Sequence, residues 1–358
     1  MSRLSVVPEP GRHLVGAGMS TKHTFGTLDA LRGVAAVAVL IWHYDVPHQE
    51  RYWIAGLAVD LFFVLSGFVI AHAYEDRLKS GWSPFRYLKT RMIRLWPLYI
   101  LGTVIGLAAV VTRIAVTGEH AGLKYLAFCL AISTLLLPQM VRGWDAAFPF
   151  NGPAWSLFIE FVANILYGLG AFRLSNRSLL AVIAACSALT ARVLFSGNMP
   201  VMFTGAGIAY ALPEGVGTFA TGVLLRRWWG SGALPRIAMP PGLVVLFFIG
   251  LLVLAAHIGS NTLAHFLAVT LVWPLVVVIG AQSPLTGSAE RIFGHLGRMS
   301  YPLYATHSGF YAFASIAFGA GLVSHGLAFG SAVVLALVVA DCADRFYDRP
   351  VRDWLSRR

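Results

Sequence analysis

Apolar runs of membrane-spanning length recur along almost the whole chain, and that pattern leaves few folds open. In lipid every backbone amide and carbonyl must be satisfied internally, so runs of about 20 apolar residues are spanned as α-helices. The runs fall near 28–46, 54–74, 95–116, 153–172, 179–195, 207–225, 240–257, 262–280, 299–319 and 327–345. Only 12% of the residues are charged and 57% are hydrophobic, against roughly 25% charged in a soluble domain. The chain therefore reads as an all-α integral membrane protein with about ten transmembrane helices. The expected organisation is an N-terminal tail over 1–26, a transmembrane domain over 27–346 and a basic tail over 347–358. The first tail lacks a signal-peptide core and no Ala-x-Ala site follows the first apolar run, so that run is expected to stay.

Charge sets the orientation. The stretch Tyr125 to Pro138 is about 14 residues, short for a span and suited to a re-entrant segment. If it does not cross, one side receives the N-terminal tail, the loop with Arg77, Lys79, Arg86, Lys89, Arg91 and Arg94, and the turn with Arg173 and Arg177. The same side receives Arg226, Arg227, Arg236, Arg291, Arg298 and the C-terminal tail, and the opposite loops hold only Arg51, Lys124 and Arg142. The positive-inside rule then predicts both termini in the cytoplasm. The net charge of +11 reads as this bias plus an anionic ligand, not as a nucleic-acid surface. Cys129, Cys186 and Cys342 sit in apolar segments without paired spacing, so neither a disulfide framework nor a metal site is expected.

Several spans carry polar residues on one face. Ser156, Glu160, Asn164 and Tyr167 fall within about 80° of one another on the fourth, and Ser300, Tyr304, His307, Ser308 and Tyr311 align on the ninth. On the first, Arg32 and His43 stand eleven residues apart, about 16 Å along one face. Helix–helix hydrogen bonding explains Ser, Asn and Tyr. It explains Arg32, His43 and Glu160 less well, because ionisable groups in lipid are costly and usually functional. Arg91 and Arg94 share a face at one mouth of the third span, where they serve either as membrane anchors or as a phosphate clamp. Asp60 is a structural partner for a buried cation, and Gly56 and Gly67 on its face allow close packing. Asp341, Asp344 and Asp348 read as local ion pairs with Arg345 and Arg349. His48, His120, His257, His265 and His325 read as loop-proximal, and His72 and His295 as near the cytoplasmic face.

In this order stand "LDALRGVAAVAVLIWHY", "GLAVDLFFVLSGFVIAHAY", "RMIRLWPLY", "NGPAWSLFIE" and "LGRMSYPLYATHSGF". Together they closely resemble the membrane-bound acyltransferase family 3, integral-membrane enzymes that O-acylate bacterial surface polysaccharides and related glycans. The resemblance runs from about Thr24 to "FYDRPVRDWL". It implies about ten spans in the bacterial inner membrane and an acyl group, usually acetyl, drawn from cytoplasmic acetyl-CoA or another acyl-CoA, with no permanently bound cofactor. The family's Arg–ten residues–His motif matches Arg32 and His43, its histidine being the catalytic candidate. The Arg-x-x-Arg motif matches Arg91 and Arg94, assigned to the donor. Trp155, Ser156, Leu157 and Glu160 match one further stretch, and Ser300, Tyr301, Tyr304 and His307 another. Asn164 stands where many members have an aromatic residue, and Asp348 where a glutamate is usual. Some relatives carry an extra C-terminal domain; a periplasmic partner is expected here as a separate protein.

On this reading acyl-CoA binds with its phosphates near Arg32, Arg91 and Arg94. His43 is the base that deprotonates an acceptor hydroxyl on a glycan or glycolipid, or else carries the acyl group itself. Glu160 orients His43, balances its charge or binds the acceptor. Trp155, Ser156, Asn164, Tyr304 and His307 are expected around the acceptor, with the oxyanion donor open among Tyr304, His307 and Ser156. The alternative is a transporter exporting a glycan or lipid, which also needs polar stripes.

Overall fold

The structure, a computed structural model, describes residues 25–44, 52–118, 122–140, 146–197, 204–237, 239–259 and 261–357. Most of the N-terminal tail, with Asp45, His48, Arg51, His120 and Arg142, lies outside these residues. Among the described residues there are helices and no strands. They are α1 (Gly26–Tyr44), α2 (Tyr52–Lys79), α3 (Pro84–Thr117), α4 (Leu123–Thr134), α5 (Ala154–Leu169), α6 (Asn176–Leu194) and α7 (Gly205–Ser231). Then come α8 (Pro241–Ile258), α9 (Thr262–Leu267), a π-type stretch Ala268–Val272, and α10 (Trp273–Gln282). The chain continues through α11 (Gly287–Gly319), α12 (His325–Cys342), a second π-type stretch Ala343–Asp348, and α13 (Arg349–Ser356).

Each expected run is helical, and eight helical stretches among the described residues are long and apolar enough to cross a membrane. The two that fall short carry the polar stripes. Helix α5 is only 16 residues long, and α11 loses apolarity to its serine, tyrosine and histidine file. The run 125–138 forms the twelve-residue α4 and a following turn, about 18 Å of helix, too short to span. One side of it touches α3: Cys129 and Ser133 are buried, and the Tyr99 hydroxyl, midway along α3, donates to the Ser133 carbonyl at 2.5 Å, while Leu123 and Phe128 are exposed.

The core is built by α2 against α7 and α1 against α11, with α11 also packed on α3 and α12. Gly67 explains the first contact. A Cβ there would stand 1.9 Å from the Phe219 carbonyl oxygen, and one at Gly222 would stand 2.1 Å from that of Val64. The two backbones touch, as small residues permit in membrane bundles. Gly56, expected to do the same, has nothing within 4 Å of such a Cβ among the described residues.

The basic C-terminal stretch is largely helical. Asp348 is buried, and α13 packs on α3. The acids there are also not wholly local. Asp341 pairs with Arg345 at 3.0 Å and Asp344 with Arg349. Asp341 also meets His295 at 3.3 Å, and Asp348 reaches Arg94, 254 residues away, at 3.3 Å.

Candidate active site

Helix α1 ends in His43, whose Nδ1 lies 2.8 Å from the Val39 carbonyl. A carbonyl only accepts, so the neutral ring carries its proton on Nδ1 and its lone pair on Nε2. His307 on α11 is held the same way, Nδ1 donating to the Tyr304 carbonyl at 2.9 Å. The two rings meet edge to face, centroids 5.1 Å apart and planes at 70°. One turn back on α11, Tyr304 presents its hydroxyl 2.6 Å from Ser156 Oγ of α5. Both hydroxyls also lie within reach of the Pro153 carbonyl, at 3.2 and 3.1 Å. Two hydroxyl protons and one carbonyl satisfy one another here. Phe62 of α2 closes the cluster, its ring 5.6 Å from that of Tyr304.

Glu160 lies one turn further along α5. It accepts from Ser66 Oγ at 2.8 Å and from Arg91 Nη2 at 3.2 Å. Asn164, another turn on, accepts from the Tyr87 hydroxyl at 2.6 Å and Arg91 Nε at 3.0 Å, and donates to the Glu160 carbonyl at 2.8 Å. Arg91 is thus held along the Nε–Nη2 edge of its guanidinium, and the side chains of the Arg91–Glu160 pair are only 13% and 19% exposed. Of the three roles open to Glu160, its hydrogen bonds do not show the orienting of His43: the carboxylate accepts from Arg91 and Ser66, and the imidazole packs on His307. Asn164, expected near the acceptor, is buried and spends its amide on locking Arg91. Trp155 is partly buried against the main core.

Arg91 and Arg94 share a side of α3 but do not form an open clamp. Arg94 has different partners, its guanidinium 5.3 Å over the Tyr301 ring and paired with Asp348. Asp348 also takes Arg352 at 2.9 Å. Arg32 donates to Ser300 Oγ at 3.0 Å and the Gly297 carbonyl at 3.1 Å, and pairs with Asp29 at 2.8 Å. Arg94 lies within electrostatic reach of both Arg352 and Arg32. These three cations gather at one end of the bundle, Arg32 and Arg94 each about a third exposed. His72 accepts from Arg226 Nε at 2.9 Å and packs on Phe25.

Ser66 and Tyr87 were not visible from sequence, since a lone serine or tyrosine in an apolar run declares no partner. Glu214 was also missed. With Asp60 and His265 it forms a group whose ligand-capable atoms lie within 4.8 Å of one another. His265, expected near a loop, is buried, and the absence of metal-ligand spacing in the sequence hid a cluster assembled from three helices.

Residues 25–343 match the family model described as an Acyltransferase domain. The chain is 36% identical over 176 residues to Protein 2 in picA locus of Rhizobium radiobacter, spanning 46% of this chain and 92% of that one. It is 24% identical over 278 residues to the exopolysaccharide production protein ExoZ of Rhizobium meliloti (strain 1021), spanning 75% of this chain and 80% of that one. No solved structure matches the chain.

Proposed function

Because this chain belongs to that acyltransferase family, we propose that it transfers an acyl group, acetyl in the simplest case, from acyl-CoA to a hydroxyl of a polysaccharide or its lipid-linked precursor. The likeness to an exopolysaccharide production protein supports the glycan class of the acceptor, and family membership favours a transferase over an exporter. The basic loops support a bacterial inner-membrane enzyme with both termini in the cytoplasm.

The observation that carries the reading is the His43–His307 contact, centroids 5.1 Å apart, backed by the Tyr304–Ser156 hydrogen bond. It supports His43 Nε2 as the base. The acceptor hydroxyl gives its proton to Nε2 as its oxygen attacks the thioester carbonyl; the tetrahedral adduct collapses and the carbon–sulfur bond breaks. The thiolate takes up the proton, leaving an O-ester, free CoA and neutral His43. The phosphates of the donor sit at the end where Arg32, Arg94 and Arg352 gather, because guanidiniums pair bidentately with phosphate. Arg91, already held by Glu160 and Asn164, positions α3 against α5 and does not meet the donor.

Mass spectrometry of surface glycans tests this. A deletion strain loses O-acyl groups, and the wild-type gene restores them while His43→Ala does not. Unchanged acylation in the deletion strain refutes the proposal.

A further inference from the structure

Independently of acyl transfer, we infer that Asp60, Glu214 and His265 form a binding site for one divalent transition cation of the zinc class, stapling α2, α7 and α9 together. The three side chains come from separate helices yet converge. His265 Nε2 lies 2.6 Å from Glu214 Oε1 and 3.6 Å from Asp60 Oδ2. All three are at least nine-tenths buried, with side chains 10%, 7% and 7% exposed.

One observation points to a ligand. Among the described residues, Asp60 Oδ2 is buried without a hydrogen-bond partner while it faces the imidazole. A buried carboxylate oxygen in that state is costly unless something coordinates it. Charge is compatible with a metal: a dication with neutral imidazole balances the two carboxylates, as protons on the imidazole and one carboxyl also would.

The donor set selects the metal class. One imidazole nitrogen and two carboxylate oxygens suit zinc and its neighbours, with a water completing four-coordination. Calcium and magnesium prefer oxygen alone and more ligands. Bonds of about 2.0–2.2 Å require tetrahedral ligands roughly 3.3–3.5 Å apart, so His265 and Glu214 need to part by less than about 1 Å. The local backbone is irregular where this requires it. Pro213 precedes Glu214 inside α7, and the π-type stretch Ala268–Val272 starts three residues after His265. Such interruptions often mark functional positions.

A metal here fixes the height of α2, whose Phe62 and Ser66 touch Tyr304 and Glu160. The site thereby buttresses the candidate active site without entering it.

Full-length protein in detergent, stripped with chelator, is loaded with zinc chloride and gel-filtered, and bound metal is counted by plasma mass spectrometry. Asp60→Asn and Glu214→Gln, nearly isosteric, run in parallel. Cobalt(II) loading gives a second readout that needs no variant, a visible absorption band of a low-coordinate nitrogen–oxygen site. The inference expects about one metal per wild-type chain and at least about tenfold weaker retention in each variant. It is overturned if wild-type protein retains no zinc and shows no cobalt band, or if both variants bind as wild type does.

Discussion

The imidazole of His43 at the end of α1 stands edge to face with that of His307 on α11, centroids 5.1 Å apart. Each ring hands its Nδ1 proton to a carbonyl of its own helix. The basic nitrogen of His43 is therefore set by helix geometry, and its ring plane by the neighbouring imidazole. The Glu160 carboxylate, for which orienting His43 is one of three readings, accepts instead from Ser66 and Arg91.

His307→Ala removes the ring that fixes His43. Misplacing a catalytic group by about 1 Å can cost about 100-fold, so kcat is expected to fall between about tenfold and 100-fold with the donor KM unchanged. Steady-state kinetics with purified protein checks this; a raised donor KM at full kcat would place His307 in donor binding instead.

Arg91 and Glu160 are expected to behave as one unit. Removing one partner of a mostly buried pair leaves the other charge uncompensated, at about 3–5 kcal/mol, whereas replacing both with apolar residues is close to neutral. Arg91→Met and Glu160→Met should each lower the unfolding midpoint, and the double variant should recover most of the loss. Additive losses in denaturation curves would show that the pair is not coupled.

Arg94→Ala is expected to raise the KM for acyl-CoA. A charge-assisted hydrogen bond to phosphate contributes about 1.5–3 kcal/mol, so the rise should be about tenfold or more, with acceptor KM unaffected. An unchanged donor KM would reduce Arg94 to holding Asp348 and α13.

Gly67→Ala tests the α2–α7 contact. Its Cβ would meet the Phe219 carbonyl at 1.9 Å, and backbone cannot yield as a side chain does. Overpacking of this kind costs about 1–3 kcal/mol, so the thermal midpoint should drop. Gly56→Ala, with nothing among the described residues within 4 Å, should hold it or raise it slightly.

The spans were legible because hydropathy is local and continuous, and the polar stripes because a helix repeats every 3.6 residues. The choice of partner across helices was not. Glu160 and His43 both announce a polar interior, yet nothing in either helix says that Glu160 takes Arg91. Asp348 pairs with Arg94 across 254 residues, and His265 with Glu214 across 51. Each looked like an ordinary loop or tail residue because its environment comes from other helices. The sixteen-residue α5 likewise shows its importance only once Ser156 and Glu160 have neighbours.

The most direct measurement incubates purified protein with radiolabelled acetyl-CoA and de-O-acetylated exopolysaccharide, wild type beside His43→Ala. Label is expected to enter the glycan as alkali-labile ester with wild type, and to fall at least about 100-fold with the variant. Transfer by His43→Ala at the wild-type rate would contradict the assignment of His43 as the base.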